Sequence, residues 1–148
     1  MCIRDSTIIP HRASGYWPGA DGIENAERTN ISGAFAAGAL YSTTEDLLRW
    51  EEGLFGGKLL TPASLRKMTT PFKHTIFQHD YACGLYVYRV NGRLVIDHDG
   101  NGIGFNAQMA YYPEEKLAVI VLANLNGIVT GRINTCLLYT SPSPRDTR

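Results

Sequence analysis

At Tyr81 the period of the chain changes. From "YACGLYVYRV" onward, apolar residues come in short β-prone runs, and Asn91-Gly92 separates the first run from "RLVIDHD". Asn-Gly is the strongest two-residue hairpin signal, because both residues tolerate the positive φ that a type I′ turn demands. "FNAQMAYY" and "KLAVIVLANL" follow, joined by a turn at Pro113–Glu115. Leu117 to Leu122 is apolar at consecutive positions, which predicts a strand buried on both faces. Four antiparallel strands with a doubly covered member need helices on both sides. The expected class is therefore an α/β chain of the α+β kind, an antiparallel sheet packed with helices.

The helices must come from upstream. In "STTEDLLRWEEGLFGG", Ser42 and Glu45 have capping-box spacing, in which side chain and backbone satisfy each other's end groups. Leu47, Trp50 and Leu54 fall on one face at helical spacing, with Leu48 and Phe55 beside it. Gly56-Gly57 ends the helix, since glycine takes the left-handed cap cheaply. A second, shorter helix is signalled by Thr61 as cap, Pro62 in the first turn and Pro71 beyond the end. Two helices, both upstream, leave the sheet short of partners, so the fold is expected to be incomplete. Thr7 to Gly33, rich in Gly, Pro and Asn, reads as an extended connection, with Tyr16 and Trp17 packed against something else.

The two ends are compatible with a single DNA element read in opposite orientations. Back-translated as ATG TGT ATA AGA GAC AG, Met1–Ser6 has a reverse complement that reads TGT CTC TTA TAC ACA in one frame, which encodes Cys136–Thr140. That element resembles a transposon-end adapter used to build sequencing libraries. Residues 1–6 and 136–148 are accordingly expected to be non-native, with 7–135 as the natural segment. Setting them aside removes Arg4, Arg145 and Arg148 against Asp5 and Asp146, which turns a formal charge of zero into −1. No basic block remains for nucleic acid. Only Cys83 is left of three cysteines, so there is no intrachain disulfide framework. No run approaches the roughly 18 apolar residues of a membrane span.

"IDHDGNG", Ile96 to Gly102, admits two kinds of chemistry. From Asp97 it matches the first half of a calcium loop: Asp97, Asp99 and Asn101 as ligands and Gly102 as the turn. The twelfth position is Gln108, a neutral amide where a bidentate Glu belongs, and strands flank the stretch instead of helices. Alternation puts Asp97 and Asp99 on one strand face and His98 on the other. A solvated strand end fits better than a metal site, and no metal or cofactor is expected. From His98 the stretch reads His-x-Gly after an apolar run, which suits a strand lining a cleft.

The ordered series "AAGALYSTTEDLLRW", "LLTPASLRKM", "YACGLYV" and "DHDGNGIGFNAQMAYYPEEKLAVIVLANL" resembles the C-terminal half of the serine β-lactamase-related family, over roughly residues 8–127. That family includes class C-type β-lactamases, D-alanyl-D-alanine peptidases and related esterases. The resemblance implies a β-lactamase/transpeptidase-like fold and a serine hydrolase acting through an acyl-enzyme on an amide, lactam or ester. The family uses Ser-x-x-Lys, Tyr-x-Asn or Ser-x-Asn, and Lys-Thr-Gly or His-x-Gly on a strand edging the cleft. His98-Asp99-Gly100 is similar to the third motif. By that resemblance His98 offers the substrate a donor or positive charge, Gly100 admits substrate backbone, and the Asn101 N–H is one oxyanion donor. Asp99 and Gly102 line the substrate. Asp99 stands where Thr or Gly is frequent, which argues against a strict preference for anionic substrates. Gly102, Gly104 and Phe105 resemble the glycine-rich turn into the next strand. The implied partner is a small-molecule or peptide substrate, and a periplasmic or secreted location suits the family.

The nucleophile is missing. Ser64-Leu65-Arg66-Lys67 has Ser-x-x-Lys spacing, but on a short helix after a proline cap it reads as a solvated face. No Tyr-x-Asn occurs, and Tyr41-Ser42-Thr43 lacks the amide. Two of the three catalytic parts are expected upstream of this segment, leaving it inactive alone. The rival from another class is a non-catalytic binding module of the same fold. His74 and His79 read as surface loop, and Cys83 as a small buried strand residue. Trp17 and Trp50 read as packing residues. Tyr81, Tyr86 and Tyr88 form an aromatic run along a strand, the last two on one face, that suits the lining of a groove or, by default, sheet packing.

Overall fold

A computed structural model describes residues 10–27, 31–38, 40–74 and 80–140. The strands are β1 (Tyr16–Gly19), β2 (Gly22–Asn25), β3 (Lys73–His74), β4 (Asp80–Tyr81), β5 (Tyr86–Val90), β6 (Arg93–Gly102), β7 (Phe105–Tyr112) and β8 (Leu117–Ala123). The helices are α1 (Thr44–Phe55), α2 (Pro62–Thr69) and α3 (Thr130–Thr140), with a 3-10 segment over Ile31–Ala37. Strands β3 to β8 form one antiparallel meander in sequence order, and β1–β2 is a separate hairpin. The four expected strands are present, with two short ones added at the β5 edge.

Local chemistry sets most boundaries. Asn91 and Gly92 turn the β5–β6 hairpin with φ of 51° and 83°. Pro113 to Lys116 joins Tyr112 to its partner Leu117. Thr61 caps α2, accepting from the Ser64 N–H at 3.2 Å, with Pro62 as first helical residue. At α1 the expectation is off by one residue: Thr43, not Ser42, is the cap, accepting from the Asp46 N–H at 3.2 Å. Both hydroxyl residues could cap, and the one adjoining the first helical residue does so. "YACGLYVYRV" is not one strand either, because Gly84 at φ 74° breaks it between β4 and β5.

Tyr111 and Tyr112 alternate on β7 and so face opposite layers. Phe55 of α1 stacks on Tyr111, centroids 4.0 Å apart and planes within 8°. On the other face the Tyr112 hydroxyl donates to Asn134 Oδ1 of α3 at 2.7 Å. The core lies under α3: Val95, Ala110, Tyr112, Val119, Val121 and Leu138. This third helix was not foreseen from the sequence. Thr130, Asn134 and Leu138, four residues apart, form its buried stripe. Residues 136–140, read above as non-native, thus complete a helix whose Leu138 is 2 % exposed. Residues 1–6 and 141–148, assigned to the same origin, lie outside the described residues.

The second face of β8 is less covered than its apolar run suggests. Val119 and Val121 are buried, Ala118 and Ile120 half-buried, and Leu122 exposed. On α1, Leu54 is buried, but Trp50, expected to pack, is 41 % exposed, and Leu48 is exposed too. Glu51 takes the inward place between Leu47 and Leu54. Residues 16–25 are a β-hairpin where the sequence suggested an extended connection. The Tyr16 N–H donates to the Asn124 carbonyl at 3.0 Å and the Asn126 N–H to the Tyr16 carbonyl at 2.9 Å, which docks this hairpin beside the end of β8.

Candidate functional site

Strand β6 outruns one of its neighbours. Pairing with β5 ends at Tyr86 opposite Asp97, whereas β7 follows β6 to Gly102, opposite Phe105. Among the described residues, His98 to Gly102 therefore carry a strand on one side only. Positive φ at both Asn91 and Gly92 marks a type I′ turn, which makes Val90 and Arg93 a hydrogen-bonded pair. Peptide groups then alternate between the two sides of the strand. By that alternation the N–H groups of Asp99 and Asn101 point to the side where β5 has ended. Asp99, Gly100, Asn101 and Gly102 are exposed. A Cβ added at Gly100 or Gly102 would meet nothing within 4 Å, whereas one at Gly104 would lie 2.7 Å from Ala26 Cβ and from Gly15 backbone. The glycines along the strand thus leave open space, and the turn glycine serves packing.

His98 stands half-buried where β5 ends. Its Nδ1 lies 2.6 Å from the Asp99 carbonyl oxygen and its Nε2 lies 3.0 Å from the Tyr81 hydroxyl. Tyr86 stacks on the ring at 5.1 Å between centroids, and Tyr81 meets Tyr86 edge-on at 4.8 Å. The surroundings are aromatic and half-open. Sequence reasoning took Tyr81 and Tyr86 as sheet packing by default, with the lining of a groove as the alternative. Their approach to the imidazole depends on β4–β5–β6 register, which no local motif reports.

Asp97 faces the other way, as alternation predicts. It is 4 % exposed, accepting from the Tyr88 hydroxyl at 2.7 Å and from Gln108 Nε2 at 2.9 Å. Burial and this carboxylate push the Tyr88 hydroxyl far above its ordinary range. The Asp97–Gly102 stretch is continuous strand paired with β7, so the backbone does not wrap as an ion-binding loop does. The amide at the twelfth position of the calcium pattern is a cross-strand partner of the first.

Other candidates resolve by placement. Ser64 is exposed, and its N–H and hydroxyl both bond to Thr61 as part of the cap. Cys83 is exposed in the turn before β5, not buried in a strand, and its N–H donates to the Met68 carbonyl at 3.1 Å. His74 belongs to β3, and His79 lies outside the described residues. Trp17 is half-buried on β1.

A cleft of about 400 Å³ lies elsewhere, lined by Leu48, Glu51, Phe55, Tyr111, Lys116 and Leu117. Glu51 is only 2 % exposed, its Oε2 has no hydrogen-bond partner among the described residues, and burial pushes its carboxyl up to about 7. Sequence reasoning passed over Glu51, although its spacing from Leu47 and Leu54, four and three residues away, was the available signal. The cleft sits between α1 and the β7–β8 turn, apart from the open edge of β6, and it lacks the glycine-flanked strand that would admit an extended ligand. The β6 edge is therefore the better candidate.

Solved structures show the same architecture. The penicillin-binding protein of Bacillus halodurans matches 93 % of this chain and 43 % of its own at 20 % identity, TM-score 0.73. The octameric penicillin-binding protein homologue of Pyrococcus abyssi matches 85 % of this chain and 30 % of its own at 24 % identity, TM-score 0.76. The D-amino acid amidase of Ochrobactrum anthropi matches 81 % and 39 % at 24 % identity, TM-score 0.71. These chains share the fold, and the present chain spans 30–43 % of the length of each. The family model described as Beta-lactamase matches residues 4–134. With that match across nearly the whole sequence, the α+β sheet and its helices identify the chain as a member of the beta-lactamase family, a serine hydrolase fold.

Proposed function

We propose that residues 7–135 are the C-terminal portion of a serine acyl-transfer hydrolase and that the one-sided stretch of β6 is a wall of its cleft. A serine from the preceding portion attacks an amide, lactam or ester carbonyl. The leaving amine or alcohol departs with a proton, and water then cleaves the acyl-enzyme. The Asn101 N–H is one oxyanion donor, worth about 3 kcal/mol of transition-state stabilisation. His98 positions the substrate, Gly100 lets substrate backbone close on the strand, and Asp99 and Gly102 flank it. The observation that carries this reading is the strand edge itself, which beyond Asp97 has no partner on the β5 side among the described residues and opens at Gly100 and Gly102 onto free space. The shares of 30–43 % that the chain covers in its structural neighbours support a larger parent. The names of those neighbours, a penicillin-binding protein, a penicillin-binding protein homologue and an amidase, favour a lactam or amide carbonyl over an ester.

Ser64, held by the capping Thr61 through its N–H and hydroxyl, and the lack of a Tyr-x-Asn in the sequence support the reading that the chain alone does not turn over substrate. The test joins the chain to the reading frame that precedes it and treats both proteins with a penicillin and with a fluorophosphonate. Intact-mass spectrometry should find one covalent adduct on a serine of the longer protein and none on the present chain. No adduct on the longer protein would favour a binding module that keeps the fold without the chemistry.

A further inference from the structure

The hydrogen bonds of His98 determine what this wall offers a substrate. A carbonyl oxygen only accepts, so at 2.6 Å from the Asp99 carbonyl, Nδ1 must carry the ring proton. In a neutral imidazole that leaves Nε2 bare. The Tyr81 hydroxyl, 3.0 Å away, is then the donor to Nε2. Neither ring nitrogen has an N–H to spare. The Tyr81 oxygen, on a half-buried side chain, keeps a lone pair, and so offers an acceptor.

The charge nearby has the same sense. Asp99, the next residue along β6, is exposed, and its carboxylate acts on the Tyr86 ring that stacks on the imidazole. Burial and then Asp99, Tyr81 and Asp97 all hold the Tyr86 hydroxyl above its ordinary range. An anionic group brought to this edge would meet an acceptor and a carboxylate.

We infer that Tyr81 is a specificity-determining residue of this wall, which with Asp99 selects substrates bearing a hydrogen-bond donor there, an ammonium or amide N–H, and disfavours those bearing a carboxylate. His98 acts as the positioning residue that turns the Tyr81 hydroxyl. The inference rests on the reading of β6 as a cleft wall. It adds the substrate class and moves the direct contact from the imidazole to the phenol.

The test needs no nucleophile. At about pH 8, above the ordinary imidazole range, long-range ¹H–¹⁵N spectra of the labelled chain should give His98 a protonated Nδ1 and a bare Nε2. Alanine amide and N-acetylalanine, one cationic and one anionic, are then titrated while the His98 and Tyr81 ring signals are followed. Alanine amide should bind at least tenfold more tightly. Tyr81→Phe should abolish the preference while the amide-backbone spectrum is retained, and Asp99→Asn should weaken alanine amide severalfold. A proton on Nε2, equal or tighter binding of N-acetylalanine, a preference surviving Tyr81→Phe, or no response to either probe would overturn the inference. These results are independent of acylation. A longer protein that forms the adduct but prefers the acid would remain a hydrolase with another specificity.

Discussion

A buried carboxyl group, one of whose oxygens has no hydrogen-bond partner among the described residues, is costly to ionise. Glu51 lies on the inward stripe of α1, 2 % exposed, with its titration raised from 4.5 to about 7. The folded state therefore holds the proton more tightly than the unfolded chain does. Stability from this residue is fully present below pH 4.5, falls as pH rises, and is lost above about 7, a difference on the order of 3 kcal/mol. Glu51→Gln should leave stability nearly unchanged at pH 4 and raise it by about 2 kcal/mol at pH 8. Urea denaturation at the two pH values measures this, and equal effects at both would contradict the burial argument. The apolar stripe Leu47–Leu54 was legible from spacing. That a glutamate fills its middle was visible in the same spacing, yet an acidic residue in a charged stretch reads as solvent face until the sheet is in place. His98 shows the same limit: its position on β6 followed from alternation, but its partners did not.

At the scale of elements, signals contained in a few consecutive residues were readable. Asn91-Gly92, Thr61-Pro62 and Gly56-Gly57 each specify backbone conformation by their own chemistry, and each sits where expected. The β1–β2 hairpin escaped because its four-residue strands are short, include Pro18, and owe their place to hydrogen bonds from Tyr16 to loops far along the chain. Helix α3 escaped because its last residues had been set aside as foreign. The glycines of the β6–β7 region divide in the same way between local and distant causes. Gly104 has φ 76°, and an added Cβ would lie 2.7 Å from Gly15 backbone. Gly104→Ala should cost more than 2 kcal/mol, from both the positive φ and the clash. Gly100→Ala, with open space at its Cβ, should change stability by less than about 0.5 kcal/mol. Thermal denaturation of the two variants separates packing glycine from cleft glycine, and similar losses in both would sink the distinction.

For the molecule as a whole, the two sheet faces are unequal. Under α3 the layer is closed, and Leu138 fills it together with Val95 and Tyr112. Leu138→Ala should cost about 2–5 kcal/mol, the usual range for a buried leucine, read as a lowered denaturation midpoint. A change within 0.5 kcal/mol would mean that the end of α3 does not pack in solution. Under α1 the layer is partial, with Trp50, Leu48 and Leu122 turned outward. Exposed apolar side chains thus gather on one side of the sheet. A feature at the opposite end of the polypeptide bears on the rim of the strand edge. The Asn124 side chain donates to the Ser14 carbonyl at 3.0 Å, the Tyr16 N–H reaches the Gly104 carbonyl at 3.3 Å, and Gly15 sits against Ile103 and Gly104. Residues 14–16 are thereby wedged like a splint between the β6–β7 corner and the exit of β8. Trimming the front of the chain would slacken a corner formed some ninety positions later, and shortened versions should be designed with that brace kept whole.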